Sequence, residues 1–304
     1  MKKHSFSSNR LVTILISFFL IIWVSNQLNA GVICVSNTGD NDNTGTPGSP
    51  FLTIQKALDS ASAGDTIKIA AGIYTEYLNT KCSNILLGGY NESYTNNKRD
   101  IFLNKTYIVG ASSVMYYDAN SSTIDGFVFD CGSSVTDAAA KLYNGSVLSH
   151  NVFLNLTAIA ANNIETYGGA VVINNTVYEG SNAIVINSGT GTPLIKNNIF
   201  CYTSFGINTV GYDASVRTYN CVYGNTFSYT GFDSNPGNGD IAMNPVFRDV
   251  NNYDFRILEI SSCLDKGDPS DSPGNEPHPY NSRIDIGAYG GTAWSPYLLS
   301  LIHI

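Results

Sequence analysis

The chain has 304 residues, with 16 Lys and Arg against 24 Asp and Glu, and a formal net charge of −8. Nucleic acids and anionic membrane surfaces are both bound through basic patches. This acidic balance therefore argues against either one as a partner.

The first 30 residues have the pattern of a signal peptide. Lys2, Lys3 and Arg10 are followed by an apolar run of 14 residues from Leu11 to Val24, which is short for a membrane span. We expect cleavage near Ala30, secretion or a cell-surface location, and no membrane span in the mature chain. Without this segment the chain would hold 13 Lys and Arg against 24 Asp and Glu, a net charge of −11.

The segment 40–45 resembles the first half of a calcium-binding loop. Its side-chain oxygens occupy positions 1, 3 and 5, and Gly45 occupies position 6. Position 12 is Phe51, where such a loop has a bidentate Glu. Since Asp and Asn also form self-capping turns, the pattern favours a turn. Asp40 and Asp42 are the candidate ligands, and calcium is the one candidate cofactor.

A short amphipathic helix is predicted next. Ile54, Ala57, Leu58 and Ala61 recur at helical spacing, and Thr53 can cap the helix N-terminus. We interpret it as a cap on the exposed edge of the strands that follow.

A degenerate repeat of 22 to 25 residues fills the middle of the chain, with one short strand in each segment. One column of the repeat is apolar: Phe127, Val152, Val177, Ile199 and Val222. A second column is polar: Asp125, His150, Asn175, Asn197 and Asn220. At ~3.3 Å per residue the period allows one coil of three short strands. The polar column is predicted to form a buried hydrogen-bonded ladder between coils.

Several segments also resemble a known family. The opening 34–58, with Gly64 to Glu76, is similar to the start of secreted bacterial β-helix proteins. Asn244 to Phe247, Asp265 to Pro269 and Arg283 to Gly291 resemble the terminal module of surface proteins in the pectate-lyase-like superfamily. Some of those proteins carry a variable cell-surface anchor after this module. The resemblance implies a β-helix and export, but no single activity, because the superfamily holds lyases, hydrolases and members without known activity.

The predicted fold is therefore all-β, a right-handed parallel β-helix from 31 to 240. A short helix caps its N-terminal end, and an irregular module, 241–298, is expected to pack on the other end. Residues 299–304 resemble a translated sequencing adapter, so we leave them out of the fold and expect the natural C-terminus to be missing.

Six cysteines follow the predicted signal peptide: Cys34, Cys82, Cys131, Cys201, Cys221 and Cys263. Their positions in the repeat support no obvious pair, and we expect most of them to be buried thiols.

Lys196 and Arg217 are the candidate catalytic residues. Polysaccharide lyases with this fold pair calcium or a basic residue with a Lys or Arg base. If both side chains point outward, Lys196 and Arg217 would lie roughly 8 Å apart on neighbouring coils and meet one uronate carboxylate. The alternative is an ordinary solvated face.

An aromatic column suggests a binding surface. Phe153, Tyr178, Phe200 and Tyr223 follow the apolar column and would stack along an outer face if strand alternation holds. If a bend turns this column inward, it belongs to the core instead.

Two function classes remain. The first is a non-catalytic secreted or cell-surface protein whose β-helix face contacts a polysaccharide, a cell-surface glycan or matrix. The second is a polysaccharide lyase that cleaves a uronate polymer by β-elimination. The first is favoured, because no motif brings a base, a charge neutraliser and a metal to one face.

Overall fold

The computed structural model describes residues 30–94, 99–110, 114–118, 121–133, 135–156, 161–210 and 215–296. The predicted signal peptide, apart from Ala30, and the predicted adapter segment lie outside these residues. No helix in the described ranges is long and apolar enough to span a membrane.

The described elements are one α-helix, a 3-10 turn and many short strands. The helix is α1 (Ile54–Ser60), and the 3-10 turn is Val250–Asn252. The strands up to residue 125 are β1 (Val32–Val35), β2 (Thr66–Ala70), β3 (Gly72–Thr75), β4 (Leu78–Asn79), β5 (Ile85–Tyr90), β6 (Thr106–Val109), β7 (Val114–Asp118) and β8 (Thr123–Asp125). The strands from there to residue 187 are β9 (Phe127–Asp130), β10 (Ala138–Leu142), β11 (Val147–Ser149), β12 (Val152–Leu154), β13 (Asn162–Tyr167), β14 (Val171–Ile173) and β15 (Thr176–Asn187). The last strands are β16 (Leu194–Lys196), β17 (Ile199–Val210), β18 (Val216–Thr218), β19 (Cys221–Tyr223), β20 (Phe227–Gly231), β21 (Phe247–Asp249) and β22 (Asp254–Ile257).

Each strand of the coil pairs in parallel with a strand of the next coil. One sheet runs in the order β1-β2-β5-β8-β11-β14-β16-β18. A second sheet contains the strands of the other two faces of the coil. The long strands β15 and β17 run through both of these faces and join them into one sheet. The chain is therefore a right-handed parallel β-helix, as the sequence predicts.

Strand alternation fills the interior with one column of large side chains. Phe129 pairs with Phe153, and their rings stack at 4.5 Å between centroids. The column continues through Val177, Phe200 and Val222, and all of these residues are buried in one core cluster. Residues one position earlier point outward from the coil.

A ladder of asparagine amides joins the coils at one bend. The Nδ2 of Asn151 donates to Oδ1 of Asn175 at 3.1 Å. Asn175, Asn198 and Asn220 continue the chain at 3.0 Å per step, and Asn220 donates to Asp240 at 3.1 Å. Each Oδ1 also accepts a backbone N–H from the coil before it. These amides satisfy one another where no water reaches.

The predicted ladder is right for Asn175 and Asn220 and wrong for the other three residues. His150 and Asn197 stand one position before the ladder, with left-handed backbone at φ 54° and 57°. Asp125 pairs with Ser149 at the end of β8. Two neighbouring polar residues occupy this bend in several coils, so the repeat pattern alone does not separate them.

Helix α1 forms where the sequence predicts it. The Thr53 hydroxyl accepts from the N–H of Lys56 at 3.2 Å. The Glu76 carboxylate accepts from the N–H groups of Ile54 and Gln55, both at 2.9 Å. The helix packs on β1, β2 and β4 through its buried face.

The C-terminal module lies along the side of the coil, so the expectation that it packs on the coil's end is wrong. It covers an outward column of largely apolar residues, which the coil would otherwise leave exposed. That column contains Val128, Val152, Thr176, Ile199 and Cys221. The module side chains that bury its members are Phe255, Ile257, Ile286, Ala288 and Tyr289.

Two carboxyl groups are buried inside this module. Asp285 accepts from the N–H of Asp265 at 2.6 Å and from the Ser295 hydroxyl at 2.8 Å. Glu276 Oε1 accepts from the N–H groups of Asp285 and Gly291, at 2.9 and 2.6 Å. Glu276 Oε2 is buried without a hydrogen-bond partner in the described structure. Burial raises the pKa of Asp285 to about 7. Burial, with the nearby Asp285 charge, raises the pKa of Glu276 to about 8.

The ladder predicts a large stability cost for Asn198→Leu. The substitution removes five side-chain hydrogen bonds at a buried bend, two accepted by Oδ1 and three donated by Nδ2. We therefore expect a loss of about 2–4 kcal/mol in the free energy of unfolding. The same change at the exposed Asn251 should cost less than about 0.5 kcal/mol. Urea unfolding of the two variants measures this. Equal midpoints would contradict the ladder.

The buried carboxyls predict a stability that falls as pH rises. The pKa values of both groups are higher in the folded protein than in the unfolded chain. Their contribution to the free energy of unfolding is therefore complete below the unfolded pKa values, and it is lost as the pH rises through the folded values of about 7 and about 8. We expect a loss of about 2–4 kcal/mol between pH 6 and pH 9. Glu276→Gln should flatten the profile, and thermal melts at each pH check it. An unchanged profile in this variant would rule out Glu276 as the source.

Candidate functional site

A cleft of about 440 Å³ opens where the C-terminal module meets one corner of the coil. The coil side is lined by Arg99, Asp100, Ile101, Asp125 and His150. The module side is lined by Asn275, Gly291, Thr292, Ala293 and Trp294.

Local backbone geometry brings three polar residues of the coil to this corner. Asp125 ends β8, and His150 follows β11 one coil later in a left-handed conformation that turns its side chain out of the coil. Arg99 reaches the same corner from the segment after β5. Gly126 leaves room for it, because a Cβ at Gly126 would lie 2.5 Å from the Arg99 guanidinium.

The Asp125 carboxylate organises this group, which we call the polar trio (Arg99, Asp125 and His150). Its Oδ2 lies 2.7 Å from Nδ1 of His150 and accepts from the Ser149 hydroxyl at 2.6 Å. Its Oδ1 forms an ion pair with Arg99. Burial alone would raise the pKa of Asp125. The charge and hydrogen bond of His150, with Arg99 and Ser149, outweigh burial and hold it below its usual range.

The trio leaves one imidazole nitrogen for a ligand. When the His150 ring is neutral, the bond to Asp125 holds the proton on Nδ1, so Nε2 is the acceptor. A nitrogen oriented in this way can accept a hydrogen bond from a hydroxyl or remove a proton. Arg99 is held in place by bonds from Nε to the Gly88 carbonyl, at 2.8 Å, and from Nη2 to the Asp125 carbonyl, at 3.0 Å.

Trp294 supplies a rigid aromatic wall. Its indole N–H donates to Oδ2 of Asp100 at 2.9 Å. Its ring packs against Phe102 at 5.0 Å between centroids, and the Arg256 guanidinium lies 5.5 Å from its centre. A bound ligand therefore meets a ring whose orientation is already fixed.

The predicted aromatic column does not form one outer face. Phe153 and Phe200 are buried in the coil interior, each with 0% of its surface exposed. Tyr178 and Tyr223 lie one residue after the buried column. Both pair in register with Cys201, which lies on the coil between them. Their side of the coil is occupied by the protein's own residues, since Tyr178 packs against Phe255 at 5.2 Å and Phe247 at 6.1 Å. The prediction is therefore wrong for Phe153 and Phe200.

The predicted pair of cations does not form either. Lys196 pairs with Thr218, and Arg217 pairs with Ile195, so alternation places the two cations on opposite faces. Lys196 reaches the C-terminal module and binds Asp271 at 2.9 Å and Asp268 at 3.3 Å. Arg217 is buried at the end of the coil, in an ion pair with Asp233.

The segment around Asp40 and Asp42 forms a self-bonded turn. Oδ1 of Asp40 accepts from the N–H of Asp42 at 3.0 Å. Oδ1 of Asn41 accepts from the N–H groups of Leu52 and Thr53, at 3.2 and 3.1 Å. Among the described residues, no group of three His, Cys, Asp or Glu is arranged to hold a metal ion. Calcium binding here stays a prediction.

The sequence predicts a functional role for none of the four residues that define this cleft. It places Asp125 and His150 in a polar column and predicts a structural role for both. Arg99 lies in a polar segment with no periodic signal. Trp294 could have been singled out as the only tryptophan after the predicted signal peptide.

Comparisons with known proteins concern the start of the chain and the overall fold. A family described as "Protein of unknown function (DUF1565)" matches residues 37–83, which include α1 and β2–β4. A solved structure titled "Crystal structure of pectate lyase Pel9A" is similar at 10% identity and a TM-score of 0.40, over 88% of this chain and 98% of that one. A search of curated proteins gives no match.

The class of protein follows from the strand pairing. The chain is a parallel β-helix protein, as predicted from the sequence. The similarity to pectate lyase Pel9A concerns the fold alone.

Proposed function

We propose that this is a secreted or cell-surface β-helix protein that binds a polysaccharide or cell-surface glycan in the cleft between the coil and the C-terminal module. The observation that carries the proposal is the meeting of an aromatic ring, Trp294, with the polar trio in one cleft. A volume of about 440 Å³ also lies within the usual range of ligand sites, ~300–1,000 Å³.

The chemistry of the cleft matches that of a sugar. A pyranose ring has apolar C–H faces, which pack on an indole ring, and hydroxyl edges, which require directed hydrogen bonds. Nε2 of His150 and the side chain of Asn275 can meet those hydroxyls.

Charge favours a neutral glycan over a polyuronate. The whole chain carries a net charge of −8, which repels a polyanion unless a cation bridges them. Within the cleft, Arg99 is already paired with Asp125, and Asp100 is also acidic.

The proposal predicts that cleft substitutions weaken glycan binding. His150→Ala and Asn275→Ala should each reduce affinity about tenfold, because each removes a hydrogen bond to a bound hydroxyl. Trp294→Ala should reduce it further. Phe227→Ala removes an exposed aromatic ring, 53% accessible, on the last coil and should change nothing. Affinity electrophoresis against neutral and acidic polysaccharides, with melting curves of each variant, measures these effects. Binding retained in all three folded cleft variants would exclude the cleft.

A uronate lyase is the second candidate, and the Asp125–His150 pair is the observation that favours it. In a β-elimination, Nε2 of His150 would take the proton from C5 of the uronate. The C5–H electrons would form the C4–C5 double bond as the C4–O bond breaks. The glycosidic oxygen would leave with the electrons of that bond and take up a proton from water.

A spectroscopic assay separates the two functions. Under the leading proposal, incubation with pectate, alginate or a glycosaminoglycan, with and without calcium, yields no product that absorbs in the near ultraviolet. An absorbing product that is lost in both His150→Ala and Asp125→Asn would establish the lyase instead. The calcium arm also tests whether a cation allows an acidic polymer to bind.

A further inference from the structure

Three of the six cysteines meet where the last coils contact the C-terminal module. Cys201 lies on β17, Cys221 lies on β19, and Cys263 belongs to the module. All three are fully buried in one apolar cluster together with Ile199, Ile257 and Ile286. In the structure all six cysteines of the described chain are free thiols.

The geometry selects one pair among the three. Cys221 and Cys263 share one buried cluster, and the Cys221 thiol donates to the Met243 carbonyl at 3.2 Å. Burial, and after it the Cys221 side chain, raises the pKa of the Cys263 thiol, whereas Cys201 has a smaller effect. Cys201 pairs in register with Tyr223, two residues beyond Cys221. One strand spacing and two residues along the strand put the Cα atoms of Cys201 and Cys221 about 8 Å apart. A disulfide does not span more than about 7 Å between Cα atoms.

We propose that Cys221 and Cys263 form a disulfide that fastens the C-terminal module to the coil. Each thiol loses one proton, and the pair gives up two electrons as the Cys221–Cys263 S–S bond forms. The electrons reduce an oxidising disulfide, such as glutathione disulfide or the active disulfide of a thiol oxidoreductase, to two thiols. An exported chain meets such oxidants, whereas a cytosolic one does not. This bond does not depend on the proposed glycan site.

The bond forms during folding, when docking of the module brings the two thiols together but has not yet fully enclosed them. In the folded chain both thiols are fully buried, and burial raises the pKa of the Cys263 thiol well above its usual value. Since the thiolate is the attacking species, a thiol in this environment reacts slowly. Protein that folds in the reduced state therefore stays reduced, while chains that fold beside an oxidant become cross-linked.

The bond holds one wall of the cleft in place. Asn275 and Trp294 belong to the module, whereas Asp125 and His150 belong to the coil. Fastening Cys263 to β19 limits the separation of the two walls.

Peptide mapping tests the pairing directly. The full chain after the predicted cleavage site is refolded from denaturant with glutathione and glutathione disulfide, then alkylated with N-ethylmaleimide in denaturant without a reductant. We expect one linked peptide pair that contains Cys221 and Cys263, with the other four cysteines alkylated. Six alkylated cysteines, or a bridge between any other pair, would overturn the proposal.

Thermal melts test what the bond does. The oxidised protein should melt about 5 °C or more above the same protein refolded with excess reductant. Cys263→Ser should melt at one temperature in both conditions, while the matched control Cys131→Ser should keep the difference. If Cys263→Ser does not fold, Cys221→Ser is measured in its place. A wild-type protein without this difference, or a Cys221 or Cys263 variant that retains it, overturns the proposal.

Discussion

The register of the coils depends on a buried row of side-chain amides. Asn175, Asn198 and Asn220 each accept a backbone and a side-chain N–H from the preceding member of the row. Each also donates to the next member, and the row ends on the Asp240 carboxylate. A slip of one residue would leave those donors and acceptors unpaired in the interior, which costs more than the bonds themselves contribute. Because every strand pairs one coil away, this register also decides which side chains point inward and which point outward.

The outward apolar column then determines where the C-terminal module binds. A solenoid with an exposed apolar column tends to associate with other molecules. Here Phe255, Ile286 and Ala288 cover the column within the same chain. Docking along the side of the coil creates the cleft and encloses the buried carboxyls and the three thiols. The stability of the module and the shape of the cleft are therefore consequences of one packing event.

One bend of the coil serves both stability and binding. Asn151 points inward and belongs to the ladder, whereas His150, immediately before it, has left-handed backbone and turns its ring outward. The residue that faces the cleft is thus positioned by the residue that holds the coil together. The rigidity of the bend keeps Nδ1 of His150 against Asp125 without any contribution from a ligand.

The sequence by itself determined the coil, its period, the presence of a polar ladder at one bend and helix α1, because these are periodic or local features. It did not determine the register to a single residue. Asn174 and Asn175, like Asn197 and Asn198, fit the polar column equally well, and a one-residue error exchanges the two faces of a strand. That error misplaced Phe153 and Phe200. The tertiary structure alone decided the position of the C-terminal module and hence the cleft. Contacts such as Trp294 to Asp100, 194 residues apart, leave no periodic signal in the chain, because only the folded coil brings such residues together.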